Sequence, residues 1–235
     1  MIRNTVIKIN KASSTLTWDY FEDKKSQTRG ISLTPDDKVL MAFDNYQDDS
    51  IKFARINTDG SANSVAFLPF PYVRIENFNR VATNLNAANG IKGIDTILAA
   101  TLFFNDNGQL QNTVTFPNPS PILNLPISTC TSLKTLAFNN DMLTFGTISR
   151  QLSTAGTTPA GFAPVLWHWA GQTIFTSKEI YSELINQNTG YSDIKLIDVQ
   201  KFNNDFILAV KQRSSSAEVN YVPHLTYLDA NLNIV

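Results

Sequence analysis

The chain has 235 residues, 43% apolar and 17% charged, enough to bury one substantial core. Its 19 Lys and Arg balance 20 Asp and Glu, which gives no electrostatic footprint for nucleic acid or an anionic membrane as partner. The single cysteine, Cys130, rules out an intrachain disulfide or a thiolate zinc site, and no apolar run reaches the roughly 18 residues of a membrane-spanning helix.

Strand-like sequence begins at once. Thr5 to Asn10 alternates and is β-branched, Lys11 to Ser14 turns, and Thr15 to Phe21 returns, which predicts a hairpin. From Gly30 the pattern is fuller. Gly30 to Thr34 reads as a strand, Pro35-Asp36-Asp37-Lys38 as a turn with Pro at its fixed φ, and Val39 to Phe43 as the return. Ile51 to Ile56 and Ser61 to Phe67 follow around Asn57-Thr58-Asp59-Gly60. Four short antiparallel strands in so short a span make one blade of a propeller.

In the next unit, Ile97 to Phe104 and Gln109 to Phe116 flank Asn105-Asp106-Asn107-Gly108 as a second hairpin. The preceding stretch, with Asn84, Asn86, Asn89, Gly90 and Gly93, is too polar and glycine-rich to assign strands. Pro117 to Pro126 is a Pro-rich connection that excludes central strand structure.

Two later units share a tetrapeptide. Phe138-Asn139-Asn140-Asp141 and Phe202-Asn203-Asn204-Asp205 each sit between apolar β-type runs, and both are expected at equivalent turns, with Phe138 and Phe202 in matching environments. Between these units a short helix is expected near 177–187. Thr176 and Glu179 form a capping box there, and Ile180, Leu184 and Ile185 share one face.

The closing hairpin Phe53-Ala54-Arg55-Ile56-Asn57-Thr58-Asp59-Gly60, continued to Phe67, resembles the delta-sixty type of β-propeller repeat found in bacterial surface proteins. Phe104 to Phe116 matches it partially and Thr5 to Phe21 in outline. The expected fold is therefore all-β, a single domain over residues 1–235. It is a β-propeller-like array of four-stranded antiparallel sheets, with a two-sheet β-sandwich as the alternative. One hairpin plus four units leaves the ring unclosed, so the chain is expected to associate through its end sheets or to sit in a larger propeller or assembly.

Chemistry-bearing clusters are few. In Val165-Leu166-Trp167-His168-Trp169 a strand would put Trp167 and Trp169 on one face, as a stacking platform or as packing between sheets, with His168 on the other. Asp198 interrupts an apolar strand and must be paired or wet. Together with Glu76, Asp95 and Asp193 it could supply a carboxylate pair. The turns Asn57 to Gly60 and Asn105 to Gly108 lack the distal Glu of a calcium loop. The only histidines are His168 and His224, and no Gly-Xaa-Ser-Xaa-Gly elbow presents a serine.

These residues suggest a non-enzymatic protein-binding or scaffold module, extracytoplasmic or at the cell surface. It would engage another protein through loops near 149–161 and 212–219 and through exposed sheet edges, with no cofactor. The alternative is a carbohydrate-binding or glycoside-hydrolysing propeller using Trp167, Trp169 and a carboxylate such as Asp198.

Overall fold

The computed structural model describes residues 4–9, 16–22, 26–45, 50–69, 73–93, 98–119, 127–150, 161–180, 193–213 and 220–235. They are built from antiparallel sheets whose strands follow one another in chain order. A hairpin of β1 (Asn4–Ile9) and β2 (Leu16–Glu22) comes first. The first four-stranded sheet holds β3 (Ser26–Leu33), β4 (Val39–Asn45), β5 (Ser50–Ile56) and β6 (Ala62–Pro69). The second holds β7 (Val73–Ala82), β8 (Leu85–Lys92), β9 (Leu98–Phe104) and β10 (Leu110–Phe116). The third holds β11 (Ile127–Phe138), β12 (Asp141–Arg150), β13 (Gly161–Ala170) and β14 (Thr173–Glu179). The last has β15 (Ile194–Phe202), β16 (Asp205–Gln212) and β17 (Val222–Leu228), extended by a bridge between Leu228 and Ile234.

The first strands touch in succession, β3 with β7, β7 with β11 and β11 with β15. Each interior sheet is covered on both faces. In β9, Leu102 and Phe104 pack toward Phe53 of the first sheet, while Phe103 packs toward Trp169 of the third. In β13, Val165, Trp167 and Trp169 face the second sheet and Leu166 faces the last. A two-sheet sandwich leaves one face of each sheet to solvent, so this double burial excludes it. The fold is a β-propeller. Double coverage also explains the nearly continuous apolar runs Val39 to Phe43 and Ala163 to Trp167, because both sides of the pleat are core.

One irregularity recurs in the first strand of each of the four larger sheets. Arg29, Glu76, Leu133 and Ile197 are each an extra residue at which the register with the neighbouring strand shifts, and the ladder resumes at Gly30, Asn77, Lys134 and Asp198. A bulge of this kind bends a strand and re-aims its side chains. Opposite the residue before the bulge, β8 carries Gly90 and β12 carries Gly146. A Cβ at Gly90 would overlap the Arg74 carbonyl, and one at Gly146 the Thr131 carbonyl.

The polar stretch that resisted assignment is β7 and β8. Asn84 sits in the turn between them, whereas Asn86 and Asn89 are strand residues because they are satisfied inside the sheet stack. Asn79 Nδ2 donates to the Thr135 carbonyl at 2.7 Å, Asn89 Nδ2 to Asn79 Oδ1 at 2.9 Å, and Thr135 Oγ1 to Asn89 Oδ1 at 2.7 Å. Such a closed network removes the penalty of burying amides, which composition cannot reveal.

Two expectations need correction. The described part of the supposed helix is strand. Ser177 to Glu179 close β14, Thr176 pairs with His168 instead of capping, and the Ile180 amide donates to the Pro164 carbonyl. A capping box is a local preference worth about 1 kcal/mol, and the β13 ladder supplies more hydrogen bonds than it does. Residues 181–187 lie outside the described residues.

The Phe-Asn-Asn-Asp copies do occupy equivalent turns, with Phe138 paired to Asp141 and Phe202 to Asp205, and with positive φ at Asn139 (53°) and Asn203 (56°). Their phenylalanines differ, however. Phe138 packs on Phe206 of the next sheet, whereas Phe202 is 63% exposed, since no described sheet follows the last one.

Candidate functional site

Two of the bulges reach one cleft. Along β12, the side chains facing the last sheet run Leu143, Phe145, Thr147 and Ser149, changing from core apolar to hydroxyl. Thr131 and Thr129 of β11 stand directly opposite Thr147 and Ser149 and extend the hydroxyl lining. Where this lining replaces leucine and phenylalanine, the third and last sheets part. Glu76 and Leu133, the bulged residues of β7 and β11, reach the cleft, and Phe162, Lys195 and Leu196 line it as well. At about 230 Å³ it is smaller than the 300–1,000 Å³ that enclose a drug-sized ligand, so an occupant would project from it.

Glu76 brings the carboxylate. Arg74 Nε donates to Glu76 Oε1 at 2.6 Å, which orients the group along the same face of β7. Threonine and serine hydroxyls can both donate and accept, matching the alternating demands of a polyol.

Beside the cleft, Asp193 is fully buried. Arg213 Nε donates to its Oδ2 at 2.6 Å, and the Tyr221 hydroxyl donates to the same carboxylate at 2.9 Å. Burial first, then the hydrogen bond to Asp193 and after it the Asp193 charge, push the Tyr221 phenol up, so it remains a donor. Lys195 Nζ lies 3.9 Å from the Phe162 ring centroid and 4.9 Å from that of Tyr221.

The residues singled out from the sequence fall elsewhere. Trp167 is 0% and Trp169 3% exposed, wedged against Phe116 and Phe103 between the second and third sheets. Trp167 Nε1 donates to the Pro117 carbonyl and Trp169 Nε1 to Thr144 Oγ1, both at 2.9 Å. Neither indole offers a face for stacking a sugar. His168 takes the opposite side as expected, with Nε2 2.8 Å from Asp141 Oδ2 and its ring against Phe138 and Phe175. Asp198 is paired with Lys134 at 2.8 Å and with Gln200 at 2.8 Å, and it does not line the cleft. Asp95 lies outside the described residues. Among the described residues no group of three His, Cys, Asp or Glu side chains could hold a metal ion.

Sequence inspection named Glu76 and Asp193 only as members of a carboxylate pool, and it missed Lys195, Phe162 and the hydroxyl ladder. No local motif marks them, because they come from five separate strands.

No family model matches the chain, and no curated protein matches it either. Solved structures do. An α-L-arabinofuranosidase from Fusarium graminearum, solved with an iminosugar inhibitor, is similar with a TM-score of 0.55 at 12% identity. The alignment covers 91% of this chain and 66% of that one. An α-L-arabinanase from Penicillium chrysogenum, solved with arabinobiose, is similar with a TM-score of 0.56 at 12% identity, over 87% of this chain and 62% of that one. The chain thus spans just under two thirds of the length of these enzymes.

At that identity the likeness establishes the propeller fold. It also corrects the expectation of a non-enzymatic scaffold module. That expectation leaned on missing serine, histidine and metal signatures, yet the solved structures similar to this chain include glycoside hydrolases. Glycoside hydrolysis uses carboxyl groups brought together by tertiary structure, and it leaves no short motif.

Proposed function

We propose that this chain is a carbohydrate-active propeller of the glycoside-hydrolase type, binding a glycan in the cleft between its third and last sheets. The observation that carries this is the composition of the cleft. Thr129, Thr131, Thr147 and Ser149 give one hydroxyl wall, and the Glu76 carboxylate and the Lys195 ammonium project into the same space. Hydroxyls suit hydrogen bonding to sugar hydroxyls, and a bulge-mounted carboxylate near the inner strands suits a group that meets a glycosidic oxygen. The arabinose-directed chemistry of the similar enzymes makes arabinan fragments the first ligands to try.

The test is calorimetric titration of arabino-oligosaccharides and of a panel of other neutral oligosaccharides, together with measurement of released reducing ends. Binding by the wild-type chain, with reducing-end release abolished in Glu76→Gln while binding persists, is the expected result. Failure of every glycan to bind a folded wild-type chain overturns the proposal.

A further inference from the structure

The cleft has a charged neighbour that a neutral sugar does not use. Lys195 of β15 and Lys211 of β16 are directly opposed in the ladder, so their side chains rise from the same face of the last sheet. Like charges in that arrangement destabilise a strand pair. Among the described residues no carboxylate forms an ion pair with either ammonium. Instead, both lie over one ring, Lys195 Nζ at 4.9 Å and Lys211 Nζ at 5.2 Å from the Tyr221 centroid, with Arg213 Cζ at 5.1 Å. Tyr221 is held in place by its hydroxyl bonds to buried Asp193, and Asp193 already answers the charge of Arg213. With Glu76 paired to Arg74, the remaining local excess among the described residues is the two lysines. The chain as a whole carries a net charge of −1, so this excess is a property of the place and not of the protein.

We infer that Lys195 and Lys211 form an anionic subsite at the edge of the cleft, which takes the carboxylate of an acidic sugar, a uronate, in the glycan. The inference rests on the proposed glycan-binding cleft and specifies its ligand. Lys195 is shared between the cleft wall and the lysine pair, so a chain lying along the hydroxyl wall brings its next residue to the ammonium groups. The aromatic faces hold those groups without neutralising them, which leaves their N–H donors for an incoming carboxylate. Each new charge-assisted hydrogen bond replaces repulsion by attraction.

The experiment compares trigalacturonate with neutral arabinotriose and galactotriose by calorimetry on the full chain, at low and high salt. Trigalacturonate is expected to bind about tenfold tighter than the best neutral trisaccharide at low salt, with the advantage shrinking as salt rises. Lys211→Gln should remove that advantage and Lys211→Arg should restore most of it, each variant first being confirmed folded by circular dichroism. If neutral trisaccharides bind and trigalacturonate binds no tighter, the acidic subsite is overturned while the glycan cleft stands. If inorganic sulfate competes as well as trigalacturonate itself, the lysines are a bare anion trap, and the inference is likewise overturned. If no glycan binds at all, both readings fall.

Discussion

Lys134 and Asp198 stand at the same step of two successive sheets, each directly after the bulged residue of its first strand, and their side chains meet at 2.8 Å. The two residues are 64 positions apart, the same interval that separates the Phe-Asn-Asn-Asp turns. Equivalent positions of a repeated unit have therefore taken opposite charges and bonded across the interface between blades.

Burial raises the Asp198 carboxyl, but hydrogen bonds from Lys134 and Gln200 outweigh it and hold the group below its usual 3.8. A carboxyl depressed in the folded state stabilises the fold above its unfolded value, and that contribution is lost as pH falls through the folded one. Lys134→Met should thus cost about 0.5–1 kcal/mol at pH 7, a modest figure because Asp198 is 41% exposed and solvent screens the pair. Urea denaturation at pH 7 and near pH 3 checks it. The gap between variant and wild type should close in acid.

The two phenylalanines of the repeated turn should respond unequally to truncation. Phe138→Ala removes contacts with Phe206 and the His168 ring and should cost about 2–3 kcal/mol. Phe202→Ala, at an exposed site, should stay within about 0.5 kcal/mol. Thermal unfolding of both variants side by side measures the contrast, and equal losses would mean that the last sheet has a neighbour covering Phe202.

Asn139 and Asn203 hold the left-handed backbone at the first position of their turns. Replacing either by Ala should cost about 1 kcal/mol, because a Cβ without a local hydrogen-bonding group disfavours that region. Replacement by Gly should be near neutral. Denaturant midpoints of the four single variants decide this, and a neutral Ala variant would argue for an alternative turn conformation.

Trp167 and Trp169 should behave as core residues. Trp167→Ala is expected to cost about 3–5 kcal/mol through the cavity it leaves against Phe116. Trp169→Phe keeps most of the packing but leaves the Thr144 hydroxyl short of a donor, so about 1–2 kcal/mol is expected. Chemical denaturation with fluorescence reports both. Retained stability in Trp167→Ala, coupled with lost glycan affinity, would return that indole to the binding role it was expected to fill.

The strands and their turns were legible in the chain because they are local. Asn-Asp-Gly turns, β-branched runs and the repeated Phe-Asn-Asn-Asp each state a backbone preference within a few residues, and the sheets follow that order. Cys130 follows the general tendency of a free cysteine to be buried as a small hydrophobe. It is fully enclosed, and burial pushes its thiol up to about 12. The asparagines of β7 and β8 were not legible. Their burial is tolerable only because Asn79, Asn89 and Thr135 meet from two different sheets.

The same division runs through the site. By itself the sequence determined an all-β chain of repeated meanders, and it placed Trp167 and Trp169 on one side of a strand and His168 on the other, because the period of two follows from the pleat. Only the tertiary structure decided that this indole side is core, that Glu76 and Leu133 are bulged toward one cleft, and that Lys195 and Lys211 share a face beside it. Which side of a sheet meets protein and which meets a ligand depends on how sheets stack, and stacking is settled by contacts between residues far apart in the chain.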